Sequence, residues 1–208
     1  MADRTDTFNR SDSTSGMGTP SDGGSAWVEY GASDTWGVLS SKAYVVSNGG
    51  AAQALAALES SLSDVEVQLT CSTLDTSANV IILRLSNSSN YLHYQWDSSS
   101  GFRLFRVSGG GFTQIGSSAG SMSNGDTLKV SAVGDQINCY HNGALVIGPI
   151  TSSHNQTETK HGLGCYNNAP LDGRWDDFSI IDAGGGGAAV DLLHSNLLRS
   201  RLLKGLAA

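Results

Sequence analysis

The sequence predicts an antiparallel β-sandwich, and three observations carry that prediction. Apolar and polar residues alternate in short runs, as in Val65-Glu66-Val67-Gln68-Leu69-Thr70, which is the period of a half-buried strand. Successive runs are separated by glycine, asparagine, aspartate and serine, the punctuation of strands joined by tight turns. Charged residues are only 15% of the chain, whereas glycines number 26. A chain of 208 residues fits a single sandwich, so length does not demand a second domain.

In chain order, residues 6–10 (Asp-Thr-Phe-Asn-Arg) open the domain, with Phe8 as the anchor into the core. Residues 11–25 form a Ser/Gly/Thr/Asp stretch with Pro20, too polar to bury much surface, and are expected to run over the outside. Residues 27–30, 36–39 and 43–46 read as the first strands, with Gly31 and Gly37 at turns. Residues 51–58 (Ala-Ala-Gln-Ala-Leu-Ala-Ala-Leu) have good helix propensity but are too few for a stable isolated helix, so helix and strand both stand.

The organising stretch runs from residue 80 to residue 147. Alternation places Ile81, Leu83 and Leu85 on one face and Ile82, Arg84 and Ser86 on the other. Leu92, Tyr94 and Trp96 likewise oppose Tyr91, His93 and Gln95, while Leu128 and Val130 face the core with Lys129 and Ser131 outside. Gly109 to Gly111 reads as a hairpin loop, since a strand follows it rather than a helix. Gly134-Asp135 and Asn142-Gly143 carry the chemistry of tight turns, which need positive φ. Residues 161–166 and 175–181 are the last strands. Trp27, Trp36, Trp96 and Trp175 each sit in an apolar strand context and read as core.

A composition break follows. Residues 184–187 are an uninterrupted glycine linker, and residues 188–208 read as a helix. Asp191 near its start and Arg199, Arg201 and Lys204 near its end complement the helix dipole. Leu192, Leu193, Leu197, Leu198, Leu202, Leu203 and Leu206 recur as pairs that advance around the helix, so leucine appears on most sides. Such a helix calls for burial on several sides. Insertion into a neighbouring subunit or helix bundle, packing back on its own domain, and a membrane-surface role all meet that demand, and the first is the favoured use. The domain organisation is therefore a sandwich over 1–183, a linker over 184–187 and an assembly helix over 188–208.

Composition excludes several function classes. The formal charge is -7 without basic clusters, which is not the electrostatic footprint of a nucleic-acid binder. The N-terminal residues lack a basic region followed by an apolar run, and no apolar stretch approaches the roughly 20 residues needed to span a bilayer. Cys71, Cys139 and Cys165 are odd in number and widely spaced, which suits free thiols better than disulfides or a zinc site. His93, His141, His154, His161 and His194 are scattered and read as surface or strand residues. No serine elbow, phosphate loop or paired-histidine zinc motif occurs.

The order of motifs resembles the concanavalin A-like lectin/glucanase superfamily in its laminin-G-like form. The matching residues are Asp6-x-Phe8-x-Arg10, Trp36-Gly37-Val38, Leu83-Arg84-Leu85, Asn90-Tyr91-Leu92-His93-Tyr94, Leu104-Phe105-Arg106-Val107, Asn142-Gly143 and Asp176-Asp177-Phe178. The chain also resembles small laminin-G-like virion proteins of actinobacteriophages, as minor tail or capsid decoration proteins. The resemblance implies a jelly roll and a non-enzymatic structural or accessory role on a virion assembled in the host cytoplasm. Its implied partners are other virion proteins, further copies through the C-terminal helix, and host-surface glycans.

The same superfamily suggests three sites. As a carbohydrate-binding module, the non-core face of the central strands would present Glu66, Gln68, Arg84, His93, Gln95 and Arg103 to sugar hydroxyls. As a glycoside hydrolase, the chain would need the superfamily's Glu-x-Asp-x-x-Glu strand, and its nearest approach is Asp64-Val-Glu66 followed by Gln68. Some jelly rolls bind calcium, and Asp6, Asp176 and Asp177 would be the ligands if the first and last strands pair. No other cofactor is implied.

Overall fold

A computed structural model describes residues 3–31, 34–48, 53–75, 78–166 and 172–184. The described residues contain fifteen strands and no helix. In chain order these are β1 Arg4–Asp6, β2 Val28–Glu29, β3 Asp34–Val38, β4 Ala43–Asn48 and β5 Gln53–Glu59. There follow β6 Val65–Thr73, β7 Asn79–Asn87, β8 Asn90–Asp97, β9 Gly101–Ser108 and β10 Gly111–Ser118. The last five are β11 Thr127–Val133, β12 Gln136–His141, β13 Ala144–Thr151, β14 Lys160–Tyr166 and β15 Arg174–Asp182.

They form two antiparallel sheets. The eight-stranded sheet runs β13-β12-β11-β6-β15-β4-β3, with β1 added against β15, and the seven-stranded sheet runs β10-β9-β8-β7-β14-β5-β2. Hairpins join neighbours through the turns the sequence announces. Asn142 and Gly143 both take positive φ between β12 and β13, as do Gly109 and Gly110 between β9 and β10.

The core lies between the sheets. Val65, Val67, Leu69 and Cys71 of β6 and Leu128, Val130 and Ala132 of β11 meet Ile81, Leu83, Leu92, Tyr94 and Leu104 of the opposite sheet. Each valine, leucine or isoleucine side chain so removed from water contributes about 1.5–3 kcal/mol. The tryptophans are core, as expected, and Trp36 and Trp175 pack at a centroid distance of 5.4 Å. Phe8 is fully buried beside Trp27, and all three cysteines are buried free thiols.

Residues 53–59, left between helix and strand by propensity, are strand β5. Ala54, Ala56 and Leu58 face the core while Leu55 and Ala57 join an apolar cluster on the opposite face. Pairing with β14 along the whole strand, and with β2, decides against the local helix preference. Arg84 is a second departure. Its φ of 50° and the register shift between Leu83 and Asn87 mark a β-bulge, which changes the parity of the strand. Leu85 therefore leaves the side of Ile81 and Leu83 and joins the opposite cluster. The expected helix, its seven leucines and all of the glycine linker except Gly184 lie outside the described residues.

Candidate functional site

The six residues proposed for sugar contact do not share a face. Glu66 and Gln68 lie on β6 of the eight-stranded sheet, and His93, Gln95 and Arg103 lie on β8 and β9 of the other sheet. Glu66 is paired with Lys129 at 3.1 Å. Neighbouring strands in sequence need not pair in a sandwich, because β6 and β7 cross between layers. Arg84 is also displaced. Its bulge sends the guanidinium, fully buried, to the Ser63 carbonyl at 3.1 Å and the Asp64 carboxylate at 3.3 Å, where it ties the two sheets together. Asp64 is held there, and also accepts from the Gly134 amide at 2.9 Å.

The remaining three residues belong to one buried polar chain on the outer face of the seven-stranded sheet. The Tyr91 hydroxyl donates to Gln53 Oε1, and Gln53 Nε2 donates to His93 Nδ1 at 3.1 Å. His93 Nε2 donates to Gln95 Oε1 at 2.7 Å, and Gln95 Nε2 donates to Asp97 Oδ2 at 2.8 Å. Arg103 closes the chain with an ion pair to the same Asp97 oxygen. Every donor points the same way, so the partners require the neutral imidazole with its proton on Nε2.

The electrostatics agree. Burial drives the His93 pKa down to about 4, with the Arg103 charge reinforcing and the Gln95 bond opposing the shift. At Asp97 burial would raise the carboxyl, but hydrogen bonds from Ser99 and Arg103 outweigh it and hold the group below its usual range. Two amides of Ser99 and Ser100 and the Ser99 hydroxyl occupy the second Asp97 oxygen. Asp97 is thus a fixed anion that orients Arg103.

Beside this chain lies a cavity of about 250 Å³ lined by Gln95, Arg103, Phe105 and Phe112. The Arg103 guanidinium sits 5.3 Å from the Phe105 ring centroid, and its Nε is buried without a hydrogen-bond partner. Phe105 and Phe112 are edge-on at 5.9 Å, and Phe112 is 41% exposed. The cavity combines aromatic walls with a positioned fork of donors.

Sequence reasoning found His93, Gln95 and Arg103 but missed Tyr91 and Asp97, which the same period of two along β8 places on their face. Phe105 follows from Arg103 by the same step. Gln53 is reached only through the tertiary fold. Tyr91, His93, Gln95 and Asp97 are buried, and so is His161, another histidine on a strand.

The calcium expectation is also corrected. β1 and β15 do pair, with Asp6 opposite Phe178. The fully buried Asp6 carboxylate is nevertheless saturated by the Phe8 amide, the Ser21 hydroxyl, both Arg10 terminal nitrogens and the Trp27 indole N–H, at 2.7–3.1 Å. Asp176 is paired with Lys42 at 2.8 Å, and Asp177 is not brought to Asp6 in any cluster suited to a metal among the described residues.

A Bacillus subtilis protein of unknown function with a galectin-like fold aligns with a TM-score of 0.52 at 12% identity, over 75% of this chain and 89% of that one. The carbohydrate-binding module CBM66 from Bacillus subtilis aligns with a TM-score of 0.50 at 16% identity, over 73% of this chain and 91% of that one. The fold is a galectin-like β-sandwich. That result agrees with the concanavalin A-like architecture expected from the motifs. No protein-family model matches the sequence. No curated protein matches it either. Within the galectin-like sandwich, the polar chain and the aromatic cavity occupy the seven-stranded sheet at β8, β9 and β10.

Proposed function

We propose that this protein is a non-catalytic, lectin-like carbohydrate-binding module, with its ligand site in the cavity bounded by Gln95, Arg103, Phe105 and Phe112. The observation that carries the reading is the state of Arg103. Its guanidinium is locked by Asp97, lies over Phe105, and keeps a buried Nε without a partner beside an open cavity. A buried unsatisfied donor is costly by about 1–3 kcal/mol, and a sugar hydroxyl arriving there would satisfy it. The phenyl groups offer apolar surface to the C–H face of a pyranose or furanose ring. Arg103 and Asp97 offset one another, so the site suits a neutral sugar. The similarity in fold to a carbohydrate-binding module supports the reading.

A hydrolase is the weaker reading. Glycoside hydrolysis uses two carboxylates roughly 5–10 Å apart across the substrate, and no carboxylate lines this cavity among the described residues. No observation on the described residues favours the virion role implied by the resemblance.

The test is titration of the full-length protein against a panel of neutral and acidic glycans. Binding is expected for a neutral sugar and should weaken at least tenfold, about 1.4 kcal/mol, on Arg103→Ala and on Phe112→Ala. A wild-type protein that binds nothing on the panel, or binding indifferent to both substitutions, would overturn the proposal.

A further inference from the structure

We infer that the protein carries a second ligand site, for a neutral polyhydroxylated group such as a sugar ring, where residues 151–155 close one end of the sandwich. A cavity of about 570 Å³ opens there, lined by Arg106 of β9, Ile115 of β10, Asp135 of the β11–β12 turn and residues 151–155. Small-molecule sites span roughly 300–1,000 Å³. Alternation along β9 puts Arg106 on the side of Phe102 and Leu104, which face the inter-sheet core, and Ile115 packs against that same core. Arg103 and Phe105 point the other way, so this cavity and the aromatic one lie on opposite sides of the β9–β10 hairpin.

The wall is built by bonds to both sheets. The Ser152 amide donates to the Asp135 carbonyl at 2.7 Å, at the rim of the eight-stranded sheet. His154 Nε2 donates to the Val107 carbonyl at 2.7 Å, and Asn155 Nδ2 donates to the carbonyls of Arg84 and Asn90 at 3.0 and 2.9 Å, all in the seven-stranded sheet. Gln136 supports the wall: its Nε2 donates to Asp135 Oδ1 at 2.8 Å and to Thr151 Oγ1 at 3.1 Å, which fixes a carboxylate beside a hydroxyl. A wall fixed before the ligand arrives reduces the ordering cost of binding.

The lining selects the ligand. Arg4, Arg10, Lys42, Arg84, Arg103 and Lys129 each pair with a carboxylate, whereas Arg106 has no hydrogen bond or ion pair among the described residues. Its guanidinium offers donors, and Asp135 Oδ2 offers an acceptor. The Thr151 and Ser153 hydroxyls serve either role, and in the neutral His154 ring Nδ1 accepts because Nε2 donates. Donors and acceptors side by side match sugar hydroxyls, each of which also donates and accepts. One cation and one carboxylate offset one another, so the ligand is neutral. Ile115 is the single apolar side chain of the lining, and no aromatic ring stacks there, so this site is the weaker of the two. Asp135 is its single carboxylate, and glycoside cleavage uses two, so the site binds and does not cut.

The test titrates isotope-labelled full-length protein with glucose, galactose, mannose and xylose, and with glucuronate as the acidic comparison, following backbone amide shifts by nuclear magnetic resonance. Amides of residues 152–155 report this site and those of residues 103–112 report the aromatic cavity, so the two readings fail separately. At least one neutral sugar is expected to move the amides of 152–155 to saturation. Arg106→Gln should weaken that binding roughly tenfold or more. Should Arg106→Gln disturb the free protein's spectrum beyond its own neighbourhood, Ser153→Trp, which fills the cavity, takes its place with the same expected loss. Amides of 152–155 that no neutral sugar moves would overturn the inference. So would binding there that keeps its full affinity in the variant, or movement by glucuronate alone.

Discussion

The Nε2 of His93 lies 2.7 Å from Oε1 of Gln95, and Nδ1 of the same ring receives Gln53 Nε2 at 3.1 Å. One ring nitrogen donates and the other accepts, so the imidazole is neutral by construction. Replacing it with an isosteric apolar ring strands both amides in a buried place. His93→Phe is expected to lower stability by about 2–4 kcal/mol, measured by urea unfolding. An unchanged midpoint would mean the chain from Tyr91 to Asp97 does not act as a unit.

Acid should weaken the fold through the two buried histidines. His93 and His161 are each shifted from 6.5 to about 4, in both cases mainly by burial. At His161 the Leu62 carbonyl opposes the shift, Arg84 adds to it, and Glu59 opposes it. Between pH 6.5 and 4 the unfolded chain binds these protons and the folded chain does not. Their contribution is therefore complete above pH 6.5 and lost as pH falls toward 4. His161→Asn should flatten the dependence of unfolding free energy on pH in that window by about one proton, whatever it does to stability at pH 7. Unfolding curves at half-unit intervals would check this.

Asp34 should act with the opposite sign. It is nearly buried and neither carboxylate oxygen has a hydrogen-bond partner of good geometry. Burial raises its pKa to about 6; the Leu55 amide opposes that rise and the charge of Glu29 adds to it. The folded chain holds this proton longer than the unfolded one, so stability falls as pH rises from about 4 through 6. Asp34→Asn should then stabilise the protein at pH 7.5 by about 1–2 kcal/mol, after allowance for solvent screening. The gain should vanish near pH 4, which thermal melts at the two pH values would show.

Asp6 is a structural anchor, and its removal should be severe. Asp6→Ala leaves the Trp27 indole, the Phe8 amide and the Arg10 charge without their common acceptor. A loss of about 3–5 kcal/mol is expected. Adding calcium should not shift the melting temperature of the wild-type protein through this residue; a shift abolished by Asp6→Asn would restore the metal reading.

The sequence by itself determined the strands, their turns and most of their faces. Alternation in β6, β8 and β11 is enforced by the pleat, and Asn142-Gly143 by the positive φ that a two-residue hairpin needs. These signals are local, so one chain suffices to read them. His93, Gln95 and Arg103 were legible as one face for the same reason. Tertiary structure alone decided what local signals do not encode. It assigned β6 to one sheet and β7 to the other, and so separated Glu66 and Gln68 from His93. A single bulge turned Arg84 inward, and a pairing with β14 made residues 53–59 a strand. Gln53 reached His93 across 40 positions of sequence. Sheet membership depends on which distant edges meet and how much apolar surface each meeting buries, and that balance belongs to the whole fold.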